Sequence, residues 1–494
     1  MILRARLVSL IWILPGLMAA TGQAPLNLWW LALMAWGLAL YAISRAASWK
    51  QAAWFGWLVG VGYIGGTHFW IVAPFYVDAE AYAWMAPFAL AGMVGGLALF
   101  FAAAYGAAFA LGRSQGMRLV ALAPCLILAE FLRATLFTGF PWAQIGSLWL
   151  NHPFMQLAAW IGVPGVGLLT LLALALPLAA PGSRAWPALA VSAALLLGGS
   201  WIGAQRLAAP VALSETQIRI VQPNAPQHLK WRPDMAPVFF QRLLDLSAAP
   251  ADTPPDVVIW PETALAWRLD IAEEIFPLIT DAAGDAEVIF GAQRLDEQGF
   301  YNSLAVLQPD ATISHVYDKH HLVPFGEYIP LASLLAATGL MPDAERRGYA
   351  SGPGARVLDL GAAGRILPLI CYEAIFARDV AAAPERPDWI VQITNDAWFG
   401  NIAMPYQHLD QTRLRAIEQG LPVARAANTG VSALIDPYGR ILASHPLNEQ
   451  GVIDAVLPAA LAPTIYARLG NWPVWVLLLT LVGGLVLVRR TRGH

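Results

Sequence analysis

Long apolar stretches are the feature that most constrains this chain. A helix needs about 20 apolar residues to cross a bilayer, so a stretch of that length with few charges indicates a membrane span. We therefore expect eight spans, of which the first two are joined by a very short connection. They lie at residues 6–22, 27–45, 53–75, 86–112, 119–137, 156–180, 187–204 and 471–488.

Composition also indicates a membrane protein. Of the 494 residues, 57% are hydrophobic and 13% are charged, whereas an average soluble protein has about 25% charged residues. The net charge of −3 gives no reason to expect a nucleic-acid partner. For residues 1–25 a cleaved signal peptide is the alternative, because arginines precede an apolar core there.

The distribution of positive charge predicts the orientation in the membrane. Lysine and arginine concentrate in the cytoplasmic segments of membrane proteins. The loops near residues 77–82 and 138–151 have neither, so they are expected outside. Both ends of the chain are then cytoplasmic, and residues 205–470 face the periplasm across a bacterial inner (cytoplasmic) membrane. The cationic residues on the cytoplasmic side are Arg4, Arg6, Arg45, Lys50, Arg113, Arg118, Arg184, Arg489, Arg490 and Arg492.

We expect three parts in the chain. Residues 1–204 hold transmembrane helices 1–7, residues 205–470 form a periplasmic domain, and residues 471–494 hold transmembrane helix 8 and a basic tail. In the periplasmic domain, strand-like runs alternate with helical periodicity, which is typical of an α/β fold. Expected strands cover 217–222, 257–260, 287–295, 301–307, 312–317, 366–370, 389–394 and 431–436, and expected helices cover 234–247, 271–283, 373–382 and 405–420.

Three reactive side chains of the periplasmic domain lie at the ends of predicted strands, namely Glu262, Lys319 and Cys371. A cysteine that begins a helix is near the positive end of the helix dipole, so we expect a lowered thiol pKa at Cys371. Each residue alone also has an ordinary interpretation: a solvated glutamate, an exposed lysine and a buried structural cysteine.

Three sequence motifs favour the functional interpretation of these residues over the ordinary one. The Trp-Pro-Glu that ends at Glu262, the Lys-x-His-Leu-Val-Pro-Phe-Gly-Glu-Tyr that begins at Lys319 and the Cys-Tyr-Glu that begins at Cys371 follow one another in this order. Together they resemble the nitrilase superfamily over residues 215–456, and the extended lysine motif resembles its apolipoprotein N-acyltransferase branch. The resemblance implies a four-layer αββα sandwich, here attached to a multi-span α-helical membrane domain.

The resemblance also implies roles for these residues. Cys371 is the expected nucleophile, Glu262 the general base, and Lys319 the stabiliser of the oxyanion together with the backbone N–H of Tyr372. Acyl transfer needs these three functions. Glu327, at the end of the lysine motif, is expected to hold Lys319 charged and oriented.

Three further residues have both a functional and an ordinary interpretation. Glu373 is expected to orient the site, although it could be a simple carboxylate at a helix N-terminus. Trp231 matches an aromatic residue that lies near the substrate in the family, with core packing as the alternative. Trp142 belongs to an apolar loop that we expect beneath the catalytic domain, where it would guide acyl chains; an interfacial anchor is the alternative.

The membrane part favours a lipid substrate, because moving an acyl chain into water costs about 0.8 kcal/mol per CH₂. The resemblance implies a ping-pong cycle through a thioester on Cys371. A membrane phospholipid donates the acyl chain, and the acceptor is the α-amino group of the N-terminal diacylglyceryl-cysteine of an apolipoprotein. We expect no cofactor, since the ester is already activated, and the sequence has no Cys/His cluster with metal-ligand spacing. We expect a monomer.

Two other functions remain open. A membrane-anchored nitrilase-type amidase would use the same three residues to hydrolyse a small amide, with water as the acceptor. A non-enzymatic transporter would use the external domain only to bind a ligand. The scarcity of charges within the spans argues against the transporter, since transporters place coupling groups there.

Overall fold

The structure, a computed structural model, describes residues 9–332 and 348–491. Long apolar helices come first, a domain of two β-sheets follows, and a final helix ends the described chain. The start of the first predicted span lies outside the described residues, as do Arg4, Arg6 and Arg492. The α-helices are α1 (Ile13–Ala20), α2 (Trp29–Ala42), α3 (Trp49–His68), α4 (Ala79–Tyr82), α5 (Ala86–Leu111), α6 (Gln115–Arg133), α7 (Ala158–Ala179), α8 (Ala185–Leu207), α9 (Gln227–Lys230), α10 (Ala236–Ser247), α11 (Phe276–Ala283), α12 (Ala377–Ala381), α13 (Met404–Gln419), α14 (Ile465–Leu469) and α15 (Trp472–Thr491).

Six helical segments within the described ranges are long and apolar enough to cross a membrane. The first two predicted spans coincide instead with shorter helices, Leu10–Ala20 and Trp29–Ala42. At a rise of 1.5 Å per residue, the 14 residues of α2 extend only about 21 Å, so α2 is shorter than its predicted range. The count of eight spans stays a prediction. The six segments are Trp49–Tyr76, Ala79–Leu111, Gln115–Arg133, Pro153–Ala179, Gly182–Leu207 and Trp472–Arg490.

Twelve described strands form two six-stranded sheets. The strands are β1 (Leu213–Gln222), β2 (Val257–Ile259), β3 (Glu287–Leu295), β4 (Phe300–Leu307), β5 (Ile313–Asp318), β6 (Leu358–Asp359), β7 (Arg365–Ile370), β8 (Trp389–Thr394), β9 (Val423–Ala427), β10 (Ser432–Ile435), β11 (Ile441–His445) and β12 (Gly451–Pro458). The first sheet has the order β12-β1-β2-β3-β4-β5 and the second β11-β10-β9-β8-β7-β6. The strands at the centre of each sheet are parallel and the outer ones antiparallel.

The two sheets pack face to face, and helices cover their outer faces. Ile259 and Leu304 of the first sheet share one buried cluster with Ile366 and Val391 of the second. Helices α10 and α11 pack on the outer face of the first sheet, and α13 packs on the outer face of the second. The layers thus follow the order helix, sheet, sheet, helix, which confirms the expected αββα sandwich. Because the parallel strands are buried on both faces, their sequences are nearly continuous apolar runs.

The helix expected over 373–382 is wrong. A short 3₁₀ helix, Cys371–Ile375, follows β7, and Phe376 then leaves the helical conformation with φ −95° and ψ 98° before the five-residue α12 begins. The apolar positions here do not follow a continuous helix face because Tyr372, Ile375 and Phe376 all pack against the membrane helices.

The sheet domain rests directly on the helical part. Tyr372 and Ile375 of the Cys371–Ile375 turn join the same buried cluster as residues of α3, α6 and α7, and so do three residues of α13. Met404, Leu414 and Ile417 are the α13 members of that cluster. The end of β7 is therefore close to the membrane helices.

Candidate active site

Glu262 lies just beyond β2, in a segment that crosses closely over β3. A Cβ on Gly291 would lie 2.6 Å from the Cα of Glu262, so only glycine allows this approach. Thr263 has a positive φ of 47°. The buried carboxylate is held at both oxygens: Oε1 accepts from Asn302 Nδ2 at 2.7 Å and Oε2 from the Asn395 N–H at 2.8 Å.

Lys319 follows β5 and points at two carboxylates. Its Nζ is 2.8 Å from Glu327 Oε1 and 3.7 Å from Glu262 Oε1. Burial lowers the pKa of Lys319, but the charges of Glu327 and Glu262 outweigh it and hold that pKa above its ordinary value. Glu327 also accepts from the Val323 N–H at 2.7 Å and from Asn302 Nδ2 at 3.1 Å. Lys319 is therefore a fixed cation.

Cys371 directly follows β7 and has a left-handed conformation, with φ +50°. A non-glycine residue persists there only when its surroundings fix it, and such residues concentrate at functional sites. The side chain is 8% exposed, and the thiol is hydrogen-bonded to Thr394. The charges of Glu262 and Lys319 both act on the thiol. The structure thus brings the three predicted residues together.

The expectation of a lowered thiol pKa is wrong. Burial raises the pKa of Cys371, the charge of Glu262 raises it further, and Lys319 lowers it only in part. The physical reason is that a five-residue 3₁₀ turn supplies little dipole, whereas removal from water penalises the thiolate strongly. Cys371 is therefore a thiol at rest, and a base has to take its proton.

Glu373 is more than a carboxylate at a helix N-terminus. It is fully buried, and its Oε2 accepts from the Ile370 N–H at 2.7 Å, next to the cysteine. Its Oε1 accepts from the His320 N–H at 2.8 Å and from the Tyr317 hydroxyl at 2.9 Å. Glu373 therefore ties the backbone of the lysine motif to the cysteine turn.

Tyr372 faces the membrane helices, and its hydroxyl donates to Gly139 O at 3.3 Å. Trp142 is 2% exposed and lies between the two parts of the chain, so the interfacial-anchor alternative does not hold. Its carbonyl accepts from Arg133 Nη1 at 2.6 Å, and its ring centroid is 5.8 Å from that of His408. The loop thus lies beneath the catalytic domain, as expected.

Trp231 is 40% exposed at the end of α9, so the core-packing alternative does not hold either. The neighbouring Lys230 is buried and was not predicted from the sequence. Its Nζ donates to Glu262 O at 3.1 Å and Thr263 Oγ1 at 2.8 Å. Burial lowers the pKa of Lys230 to about 8, against the opposing charge of Glu262.

Asn302 is the second functional residue that sequence reasoning missed. It is buried in β4, and its amide bridges the carboxylates of Glu262 and Glu327. An asparagine in the largely apolar strand Phe-Tyr-Asn-Ser-Leu-Ala-Val-Leu was the available signal, because buried polar groups require partners. Lys230 left no comparable signal, since lysine at the end of a short helix is usually exposed.

One group in the described part of the chain could offer three metal ligands: Cys371, Asp396 and His408. Asp396 already accepts from Arg425 Nη2 at 2.6 Å, and its Oδ1 is 2.8 Å from His408 Nδ1. A metal ion would have to displace the guanidinium charge. The absence of a cofactor stays an expectation.

Comparison with known proteins identifies the family of both parts of the chain. The carbon-nitrogen hydrolase family matches residues 217–466, and the apolipoprotein N-acyltransferase N-terminal domain matches residues 15–176. Similar proteins include the apolipoprotein N-acyltransferases of Rhodopseudomonas palustris (39% identity over 98% of this chain and 95% of that one) and Brucella melitensis (37% over 98% and 91%). Among solved structures, XC1258 of Xanthomonas campestris, a CN-hydrolase superfamily protein, aligns with 53% of this chain and 96% of its own at 23% identity and a TM-score of 0.36.

The relatives cover both the membrane helices and the sheet domain, and their identity to this chain exceeds 30%. This chain therefore belongs to the apolipoprotein N-acyltransferase family, within the nitrilase superfamily of carbon-nitrogen hydrolases.

Proposed function

We propose that Cys371, Glu262 and Lys319 transfer an acyl chain from a membrane phospholipid to the α-amino group of an apolipoprotein. One observation carries the proposal: the turn that holds Cys371 packs into the same buried cluster as the membrane helices, with both charged partners acting on its thiol. The reacting sulfur therefore lies one residue from a contact with the membrane helices, and a carboxylate and a cation are held near it.

The first half of the cycle forms an acyl-enzyme. Glu262 takes the thiol proton as the sulfur of Cys371 attacks the ester carbonyl, and a C–S bond forms. The ammonium of Lys319 and the N–H of Tyr372 stabilise the oxyanion, since the first N–H groups of a helix have no partner within it. The C–O bond then breaks, Glu262 returns its proton to the leaving alkoxide, and a lysophospholipid departs.

The second half transfers the chain. The α-amine of the diacylglyceryl-cysteine attacks the thioester carbonyl, and Glu262 accepts a proton from the nitrogen. The C–N bond forms, the C–S bond breaks, and the proton returns to the sulfur of Cys371. Each half uses the same base and the same oxyanion site, which is the ping-pong pattern. We place the domain on the periplasmic side, from the distribution of positive charge.

The remaining site residues support these three. Glu327 keeps Lys319 charged, and Glu373 joins the lysine motif to the cysteine turn. The exposed ring of Trp231 offers a surface for the lipid or the peptide. Trp142 is packed beneath the catalytic domain, and we propose that its loop guides acyl chains toward Cys371.

The test uses the purified protein with a phospholipid labelled in its acyl chains and a synthetic diacylglyceryl-cysteine peptide. We expect label on the peptide α-amine as an amide, and none with Cys371→Ala or with a peptide whose amine is acetylated. Release of the label only as free fatty acid, with the peptide unmodified, would show a hydrolase and contradict the proposal.

A further inference from the structure

Gln407 connects the sheet domain to four separate points of the membrane part. Its Oε1 accepts from Trp142 Nε1 at 2.7 Å and from Trp70 Nε1 at 3.1 Å. Its Nε2 donates to Ala24 O at 3.0 Å and Thr67 O at 3.2 Å. A primary amide has two acceptor sites and two donors, so every hydrogen-bonding position of this buried side chain is used.

The next residue on α13 contacts the nucleophile. His408 is fully buried, with Nε2 at 3.0 Å from Cys371 O and Nδ1 at 2.8 Å from Asp396 Oδ1. Gln392 Nε2 also donates to Cys371 O, at 3.3 Å. The carbonyl of Cys371 is thus held by His408 of α13 and by Gln392 of β8, which matters because a residue with positive φ needs support.

Consecutive residues of a helix point in different directions. Gln407 therefore holds the membrane helices while His408 holds the cysteine turn, and the rigid backbone between them fixes the two relative to each other. Trp142 contacts both residues, because its Nε1 donates to Gln407 and its ring packs against that of His408.

We propose that Gln407 is a positioning residue that sets the place of the Cys371 thiol relative to the lipid-facing helices. The inference rests on the proposed function, since it takes Cys371 as the nucleophile. Gln407 acts through His408 and does not touch the reacting atoms.

The test compares variants of the full-length protein that change Gln407 or its partners. Gln407→Leu removes all four bonds, and Trp142→Phe and Trp70→Phe each remove one donor while keeping an aromatic ring. Asn151→Ala is the matched control, because it removes another bond between the bundle and α13, Arg413 Nη1 to Asn151 Oδ1 at 2.9 Å, without touching Gln407.

Two readouts are measured: the rate of acyl-enzyme formation from phospholipid, and the pH profile of Cys371 alkylation by a small water-soluble reagent. We expect Gln407→Leu to slow acylation by about 10- to 100-fold, the cost of displacing a reacting group by about 1 Å. Its alkylation profile should also shift, because the thiol loses its fixed relation to Glu262 and Lys319. The two tryptophan variants should show the same changes to a smaller extent, and Asn151→Ala should stay within about twofold of the original protein.

If Gln407→Leu has the same acylation rate and the same pH profile of Cys371 alkylation as the original protein, the inference is overturned. If that variant does not fold, unchanged rates and profiles in Trp142→Phe, Trp70→Phe and their combination would overturn it equally. If the unaltered protein is alkylated at Cys371 but is not acylated by phospholipid, that result contradicts the proposed function instead.

Discussion

At the scale of single residues, burial decides the chemistry of this site. The thiol of Cys371 is neutral at rest because removal from water raises its pKa, and the nearby negative charge of Glu262 adds to that effect. Lys319 stays charged in the same surroundings because two carboxylates face it. The site therefore holds a protonated thiol beside a permanent cation, which supports the proposed cycle because that cycle begins with proton transfer to Glu262.

The first prediction concerns the pH dependence of Cys371 alkylation. Only the thiolate reacts, so alkylation should rise at a pH above the ordinary thiol range of about 8.5. Lys319→Met removes the charge that lowers the thiol pKa and should move the profile to higher pH. Glu262→Gln removes a charge that raises it and should move the profile to lower pH, although acyl transfer is lost. Shifts in the same direction for both variants would contradict this electrostatic account.

The second prediction concerns Asn302. Asn302→Leu removes hydrogen bonds to two carboxylates, each worth about 1.5–3 kcal/mol when the acceptor is charged. Acyl transfer should fall by about 10- to 150-fold, while thermal unfolding still shows a cooperative transition. Gln241→Leu is a suitable control, because the exposed side chain of Gln241 donates to Asp245 Oδ1 at 2.8 Å on the surface of α10. Equal rates of acyl transfer in the two variants would show that Asn302 does not contribute to the site.

Residue identities at the site were predictable where motifs carried them. Glu262, Lys319 and Cys371 stand in recognisable sequences, and the structure brings them together. Asn302 is visible in the sequence as a polar residue of a buried strand, but its two carboxylate partners could not be predicted, and Lys230 gave no signal. Both roles depend on which segments meet Glu262 in the packed domain. The raised pKa of Cys371 was missed for a related reason: burial is a property of the packed domain, not of the local sequence.

At the scale of elements, the site is built from strand ends. Glu262 follows β2, Lys319 follows β5 and Cys371 follows β7, so both sheets contribute side chains to the site. Glu373 and Asn302 connect these ends by hydrogen bonds. The relative positions of Glu262, Lys319 and Cys371 therefore depend on how closely the segments that hold them approach one another.

The third prediction tests that approach at Gly291. In Gly291→Ala the new Cβ would lie 2.4 Å from the N of Thr263 and 2.6 Å from the Cα of Glu262, so the segment that holds the base has to move. Acyl transfer should fall by about tenfold or more. Gly483→Ala is the control, since a Cβ there meets nothing within 4 Å. Full activity of Gly291→Ala would show that the position of Glu262 is less constrained than the structure indicates.

Periodicity predicted most of the elements but not all. The apolar strands β2, β3, β7 and β8 were evident in the sequence. Strand β9 was missed because Val423-Ala-Arg-Ala-Ala is rich in alanine, which does not favour strands. Strand β12 was missed because its partner, β1, lies far away in the sequence. The prediction of one helix over 373–382 was wrong because its apolar residues pack against the membrane helices and do not form one helix face.

At the scale of the whole molecule, the sheet domain is seated on the helical part through polar and apolar contacts. Gln156 Nε2 donates to Tyr438 O at 2.9 Å, and Glu418 Oε1 accepts from the Val163 N–H at 3.2 Å. Together with Gln407, these contacts fix the direction in which the active site faces. A lipid substrate explains why a nitrilase-type domain would be held in this way.

The fourth prediction concerns orientation. Both native cysteines are buried, so new exposed cysteines report on sidedness. Glu297→Cys, in the sheet domain, should react with a membrane-impermeant maleimide added to intact spheroplasts, whereas Ser183→Cys, between α7 and α8, should react only after lysis. The opposite pattern would place the sheet domain in the cytoplasm and contradict the periplasmic assignment.

The central claim is that the sulfur of Cys371 accepts an acyl chain directly from a membrane lipid. It is tested most directly by mass spectrometry of the purified protein after incubation with a phospholipid of defined acyl chains. We predict a mass gain of one acyl group on the peptide that contains Cys371, removable by hydroxylamine and by the acceptor peptide. An unmodified Cys371 peptide under conditions in which the acceptor peptide becomes acylated would contradict the account.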